Sequence, residues 1–235
     1  LDEADTAVFR DKIEPAFAYG ELEGGMRVDI AGLTSHYRSY LADAGKLLPN
    51  SFDHSLLQIE GSGMRYGQIQ ARGVIFCEGY RGKFNPWFNY LPFHGDKGEV
   101  LIVRIPGADF NKLLKQNIFI VPLGADLYWV GTTYFRSYET VEATSEGKTW
   151  LLTRLTEILR LPFELVDHRA AVRPTVKDRR PMLGAHPNIP GLWLFNGLGT
   201  KGTSLGPYWA DHLLCHILEG QQLDPEVNIN RFADS

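Results

Sequence analysis

The sequence predicts an α+β protein in which an antiparallel sheet with helices is inserted into a layer of the α/β type. The uninterrupted apolar run at residues 73–77 is typical of a strand buried on both faces, as in a parallel sheet. Residues 99–105, 118–122 and 127–133 instead form three successive strand patterns, and Gly124-Ala125-Asp126 favours a hairpin between the last two. Another short apolar run, at residues 192–195, brings the α/β pattern back near the C-terminus.

The N-terminal part predicts helices. Residues 1–25 are polar and rich in Glu, with a few apolar positions, and favour one or two short helices. Asp29 is a plausible N-cap for a helix that extends to about Leu48. Six of its residues recur at helical spacing and predict one buried stripe: Leu33, Tyr37, Tyr40, Leu41, Ala44 and Leu48.

The remaining elements follow from local signals. Residues 56–60 and 64–70 flank Gly61-Ser62-Gly63 and predict a hairpin with a glycine turn. Residues 83–93 are dense in Phe, Trp, Tyr and Pro, which predicts an ordered aromatic loop. We expect a helix over about 145–160, a strand over 164–172 and a last helix from about Leu205 to a C′ glycine at Gly220.

Composition bounds the classes of function. The 235 residues are 44% apolar and carry a formal charge of −4, with acids and bases interspersed. The absence of a basic block argues against a strong nucleic-acid binder. No apolar run approaches the ~20 residues that cross a bilayer.

The two cysteines and the first residue of the sequence bear on the cellular compartment of the protein. Cys77 and Cys215 lie in apolar runs, so they predict buried free thiols in a reducing compartment, here the cytoplasm, with a disulfide between them as the alternative. Neither has metal-ligand spacing, and no metal is predicted. Because the chain begins at Leu1, any targeting signal would lie upstream.

A glycine-rich loop near the C-terminus is the first candidate site. Gly197, Gly199 and Gly202 lie between a buried strand and a helix, with Thr203 or Ser204 able to cap the helix and Pro207 placed in its first turn. Such a loop exposes backbone N–H groups at the positive end of a helix dipole, and Lys201 adds a full charge. A phosphate, a carboxylate or the pyrimidine edge of a flavin would be stabilised there. The alternative is that the glycines only allow a strand to turn tightly into a helix.

Arg173 is the strongest candidate for substrate binding. It ends a strand-like run and precedes Pro174, which stiffens the chain beside it. A guanidinium held in this way can bind a carboxylate at two points. From the residues alone, a structural ion pair with Asp167 or Asp178 is the favoured alternative.

These motifs together resemble a known family. Val172-Arg173-Pro174-Thr175, continued by Asp178, Pro181 and Gly184 and by the loop at 197–207, resembles the C-terminal signature of the D-amino-acid oxidase superfamily, near its glycine oxidase and sarcosine oxidase-like members. Residues 74–79 resemble that family's internal strand beside the flavin, and residues 118–133 resemble its substrate-domain hairpin.

The resemblance implies an FAD-dependent oxidoreductase that oxidises the C–N bond of a small amine or amino acid by hydride transfer to the flavin. Residues 30–82 and 170–235 would be the remaining part of an FAD-binding domain, and residues 1–29 and 83–169 a substrate-binding domain. Arg173 would hold the substrate carboxylate, with Tyr134 nearby and Lys201 in the place of the loop's basic residue. The positions implied for cofactor binding are Gly79, Gly197, Gly199, Thr200, Lys201, Gly202, Thr203 and Ser204.

This sequence departs from the family pattern at its start. The N-terminal βαβ unit with its glycine fingerprint is absent, so we expect a C-terminal fragment whose partner is the missing FAD-binding segment and which is inactive alone. Two other functions remain open: a flavoenzyme module acting on a modified tRNA base, against which the negative charge argues, and a non-catalytic binding module with the aromatic residues 84–93 as its surface.

Overall fold

The computed structural model describes residues 9–61 and 63–233. Its α-helices are α1 (Ile30–Asp43), α2 (Ser145–Thr156) and α3 (Gly202–Glu219). Its strands are β1 (Leu57–Glu60), β2 (Gly63–Tyr66), β3 (Ile69–Ala71), β4 (Val74–Phe76), β5 (Asp96–Arg104), β6 (Leu114–Gln116), β7 (Ile118–Gly124), β8 (Leu127–Gly131), β9 (Glu164–Arg173), β10 (Met182–Ala185) and β11 (Leu192–Asn196). The three helices and the mainly antiparallel strand pairs confirm the α+β class.

The chain divides into two compact units. Unit 1 contains residues 1–25 and 96–173, and unit 2 contains residues 26–95 and 174–235. The sequence predicted boundaries between two domains at residues 29/30, 82/83 and 169/170. The aromatic segment 83–93 therefore belongs to unit 2, where Phe88 is fully buried in a core with Phe76 and Leu194. The names FAD-binding and substrate-binding remain predictions for these units.

Unit 1 is built on one antiparallel sheet with strand order β6-β7-β8-β5-β9. One face of the sheet packs against α2, because Leu101, Val130, Leu151 and Leu155 are all fully buried in one cluster. Alternate residues along each strand point to the opposite face. That opposite face includes Arg173, which ends β9.

Unit 2 contains two three-stranded sheets. In one, β11 pairs with β4 in parallel and with β10 antiparallel. In the other, β1, β2 and β3 form an antiparallel meander. The parallel pair confirms the α/β character expected from the two short apolar runs. Helix α3 follows β11 and ends at Glu219, and Gly220 caps it in the left-handed conformation with φ 74°.

Helix α1 differs from its prediction in two respects, the first being that it ends at Asp43 rather than near Leu48. Asp29 does cap it, and the Asp29 side chain accepts a hydrogen bond from the backbone N of Gly32. The predicted buried stripe is wrong, however, because α1 has no buried residue and Leu33, Tyr37 and Tyr40 are each about 60% exposed. Helical spacing identifies an apolar face but does not say what covers it.

Other local predictions also need correction. Residues 9–25 contain no helix, and residues 1–8 lie outside the described residues. Helix α3 begins at Gly202 rather than near Leu205, which places Pro207 in the second turn instead of the first. Cys77 is exposed and Cys215 is partly buried, and both thiols are free. Among the described residues, no helix is long and apolar enough to cross a membrane, and no group of three or more side chains could hold a metal ion.

Candidate functional site

Arg173 lies on the face of the unit 1 sheet that is opposite α2. Its guanidinium covers Gly98 so closely that a Cβ atom built on Gly98 would lie 2.6 Å from Arg173 Cζ. Nη2 donates a hydrogen bond of 2.9 Å to Thr132 Oγ1. Cζ also lies 5.2 Å from the centroid of the Tyr134 ring, within the range of a cation–π contact. Three neighbours therefore fix the guanidinium.

The alternative of a structural ion pair for Arg173 is excluded. Asp167 pairs with Arg169 at 2.6 Å, and Asp178 pairs with Arg231 at 2.8 Å. Arg173 forms no ion pair with either, and its Nη1 is buried without a hydrogen-bond partner. A buried donor of a charged group is costly to leave unpaired, so this atom is suited to a ligand that supplies an acceptor.

Tyr134 is joined to a residue that sequence reasoning missed. The Tyr134 hydroxyl donates a hydrogen bond of 2.8 Å to Asp96 Oδ2. Asp96 is only 5% exposed, and its other oxygen, Oδ1, is buried without a partner. Burial, followed by the hydrogen bond to Asp96, raises the pKa of Tyr134 above its usual value. Tyr134 therefore remains a neutral donor at ordinary pH.

The residues around Arg173 come from separate strands. Arg173 and Asp96 are directly opposite each other in the β9–β5 register, while Thr132 and Tyr134 follow the end of β8. The sequence signal for Asp96 was available but ambiguous. The segment Asp96-Lys97-Gly98-Glu99 has three charged residues at the start of a strand, a pattern typical of solvent-exposed positions. In the structure all four residues are buried.

The glycine-rich loop of unit 2 is organised by a second missed residue. Asn196, at the end of β11, is 3% exposed. Its Nδ2 donates to the backbone carbonyl of Gly79 at 2.9 Å, and its Oδ1 accepts from the backbone N of Gly197 at 2.8 Å. Asn196 thus ties together the two segments that the resemblance assigned to flavin binding.

Glycine is required at two positions of this loop. Gly197 has φ 75° and Gly199 has φ 56°, in the region that residues with a Cβ rarely adopt. A Cβ on Gly197 would also lie 2.8 Å from Val176 Cγ2. These constraints hold whether or not a ligand binds. The tight turn from β11 into α3 therefore explains part of the glycine pattern by itself.

The start of α3 is open to a ligand. No side chain caps it: Ser204 Oγ donates to the carbonyl of Lys201 instead, so the predicted capping by Thr203 or Ser204 is wrong. Thr200, Lys201, Thr203 and Ser204 are exposed, and among the described residues Lys201 makes no ion pair. A helix N-terminus without a side-chain cap and one exposed cation therefore lie together in this loop.

Gly79 and its neighbour Glu78 have different environments. Gly79 has φ 58°, and a Cβ built on it would have no neighbour within 4 Å, so its backbone faces open space. Glu78 contacts His54 Nε2 at 2.7 Å and accepts a hydrogen bond from Asn85 Nδ2 at 2.8 Å. Glu78 therefore connects three segments of unit 2.

The two histidines near the signature have structural contacts. His168 Nε2 lies 2.9 Å from Glu99 Oε2 in the core of unit 1. His186 packs edge-on against Phe88, and burial lowers its pKa.

These residues fit part of an FAD molecule. The uncapped helix start, Lys201 and the open backbone at Gly79 would suit the electron-rich edge of the flavin ring. A pyrophosphate usually binds at a Gly-x-Gly-x-x-Gly turn inside a βαβ unit. In this sequence that spacing occurs only at Gly197, Gly199 and Gly202, and no parallel strand follows it within the part of the chain that the structure describes.

Comparison with known proteins identifies the relatives. Residues 8–214 match the family model DAO, described as FAD dependent oxidoreductase. The bifunctional protein MnmC of Idiomarina loihiensis, named for tRNA 5-methylaminomethyl-2-thiouridine biosynthesis, is 27% identical over 157 residues, covering 63% of this chain and 26% of the relative. The chain thus spans about a quarter of this curated relative.

Solved structures show the same fold. Iminodiacetate oxidase from Chelativorans sp. BNC1 superposes with a TM-score of 0.67 at 22% identity, covering 84% of this chain and 57% of that one. Glycine oxidase from Geobacillus kaustophilus superposes with a TM-score of 0.59 at 22% identity, covering 71% of this chain and 48% of that one.

Proposed function

Because the chain belongs to the FAD-dependent oxidoreductase family, we propose that the protein oxidises the C–N bond of a small amine that carries a carboxylate on the adjacent carbon. The observation that carries this proposal is the buried, unpaired Nη1 of Arg173. The family supplies the redox chemistry, and the arginine indicates the anionic group of the substrate.

Arg173 would bind the carboxylate through its fixed guanidinium. Thr132 holds Nη2, and Tyr134 lies against the guanidinium, so the donors are oriented before the substrate arrives. Hydrogen bonds to charged groups contribute about 1.5–3 kcal/mol each, and preorganisation lowers the entropic cost of forming them. The substrates named in two structural relatives, glycine and iminodiacetate, both contain a carboxylate next to an amine-bearing carbon.

Unit 2 would hold the flavin. Bound FAD would supply the acceptor for a hydride from the carbon next to the substrate nitrogen, and water would hydrolyse the imine that is left. The backbone N–H groups at the start of α3 and the Lys201 ammonium would bind the oxygen and nitrogen atoms of the flavin edge. Asn196 would keep Gly79 and Gly197 in position through its two hydrogen bonds. Gly199, Gly202 and the exposed Thr200, Thr203 and Ser204 complete the proposed flavin loop.

The test is a visible absorption spectrum of the protein, expressed with any sequence that precedes Leu1 in its reading frame. Glycine, N-methylglycine, iminodiacetate and proline are then added without oxygen. A flavin spectrum that bleaches with one or more of them is the expected result. A folded protein without flavin, or a flavin that none of these compounds bleaches, would contradict the proposal.

A modified tRNA base is the second candidate substrate, and the match to an MnmC protein favours it. The same anaerobic experiment separates the two candidates. Bleaching by tRNA that carries the modified uridine, without bleaching by the small amino acids, would assign the protein to tRNA. The formal charge of −4 means that another part of the protein would then have to supply the basic surface for tRNA.

A further inference from the structure

Among the described residues of unit 1, two of the buried polar atoms that lack a hydrogen-bond partner have complementary chemistry. Arg173 Nη1 is a cationic donor, and Asp96 Oδ1 is an acceptor on a carboxyl group. Resting on the proposed function, we infer that Asp96 binds the amine of the substrate, so that Arg173 and Asp96 together select a zwitterion. Asp96 then determines specificity for the nitrogen, as Arg173 does for the carboxylate.

The sheet register places the two residues beside each other. Asp96 and Arg173 are direct partners in the antiparallel β5–β9 pair. Side chains of such partners project from the same face of the sheet, with Cβ atoms about 4.5–5.5 Å apart. An acid and an arginine at this spacing would ordinarily form an ion pair, yet none joins them within 4 Å.

Neighbouring residues account for the missing ion pair. Tyr134 donates to Asp96 Oδ2 and stacks its ring near the Arg173 guanidinium, so one side chain contacts both groups. Thr132 holds Arg173 Nη2. Each charged group is thereby fixed by one atom while its second atom, Nη1 or Oδ1, stays unpaired.

A zwitterion satisfies both free atoms at once. The carboxylate of an α-amino acid accepts from Nη1, and its ammonium donates to Oδ1, which removes the cost of two buried unpaired polar atoms. An amine without a carboxylate, or a carboxylate without an amine, leaves one of the two atoms unpaired. The ligand class is therefore an amino acid, or an N-substituted one, whose nitrogen keeps at least one N–H.

The test compares two ligands that cannot be oxidised at the carbon next to the carboxylate. The first, 2-aminoisobutyrate, has no hydrogen on that carbon, and the second, isobutyrate, differs from it only by lacking the amine. Binding of each to the flavin-containing protein is measured by calorimetry. Wild type should bind 2-aminoisobutyrate at least tenfold more tightly than isobutyrate.

Asp96→Asn should lower the affinity for 2-aminoisobutyrate by about tenfold or more, because it replaces an anionic acceptor by a neutral amide, and should leave isobutyrate unchanged or bound more tightly. Arg173→Lys should weaken both ligands, and Tyr134→Phe, which keeps the Asp96 charge, should retain the preference for the amine. If the Asn variant does not fold, Asp96→Ser provides the same comparison.

Three results would overturn the inference about Asp96: equal affinity of wild type for the two ligands, equal weakening of both by Asp96→Asn, or no effect of that substitution. In each of these cases the flavin-containing protein still binds carboxylates, so the proposed function stands. A flavin-containing wild type that binds neither ligand contradicts the Arg173 carboxylate site itself, and the inference fails with it.

Discussion

Gly98→Ala tests whether the position of the Arg173 guanidinium determines substrate binding. The new Cβ would lie 2.6 Å from Arg173 Cζ and still closer to both terminal nitrogens, so the guanidinium must move. Gly98 has no positive φ, so its backbone accepts alanine without strain. Loss of one charge-assisted hydrogen bond costs about 1.5–3 kcal/mol. At about 1.36 kcal/mol per factor of ten, we expect KM for the amino-acid substrate to rise roughly 10- to 150-fold.

Steady-state oxidation kinetics measure this effect, and thermal unfolding shows that the variant is folded. Gly20→Ala is the matched control, because a Cβ at Gly20 meets nothing within 4 Å. Its KM should equal that of the wild type. A folded Gly98→Ala variant with unchanged KM would refute the reasoning that Arg173 acts from its place over Gly98.

Three further predictions concern the framework of the two units. Glu99→Gln should lower the free energy of unfolding in urea by about 3–5 kcal/mol, because Glu99 is fully buried and lies 2.9 Å from Lys97 Nζ. An unchanged free energy of unfolding would contradict this. Burial alone raises the pKa of Glu99, but hydrogen bonds from Thr144 and Lys97 lower it by more. The stabilisation by Glu99 should thus be present above its ordinary pKa of about 4.3 and be lost as the pH falls through the lower folded pKa, an acid dependence that Glu99→Gln should remove. Asn196→Ala should reduce the ratio of flavin to protein, because Gly79 and Gly197 lose their shared partner; a full flavin content in a folded variant would count against the proposed loop.

Local sequence signals predicted most of the fold. Strands β5, β7, β8 and β9 of the unit 1 sheet and the two apolar strands β4 and β11 follow from short apolar runs and turn residues, which depend on neighbouring positions only. Strand β6 was not predicted. The exposed face of α1 could not be predicted in the same way. Its apolar spacing is typical of a buried stripe, but burial depends on what else packs there.

The candidate site could be predicted only in part, because the contacts of a side chain also depend on what the fold brings near it. Arg173 could be identified as a candidate for carboxylate binding, but whether it pairs with Asp167 or Asp178 depends on which side chains the fold brings near it. Asp96 is directly opposite Arg173 only because of the β5–β9 register, which no local pattern specifies. Asn196 likewise acts through a contact with Gly79, which is distant in sequence.

The most direct test of the central claim is anaerobic reduction of the bound flavin by an amino acid and by its primary amide, which keeps the amine but removes the carboxylate charge. Glycine and glycinamide form such a pair, or the fastest substrate found and its own amide. We expect rapid bleaching by the amino acid and reduction by the amide that is slower by about tenfold or more at equal concentration. Equal rates for the two compounds would contradict recognition of a carboxylate by Arg173.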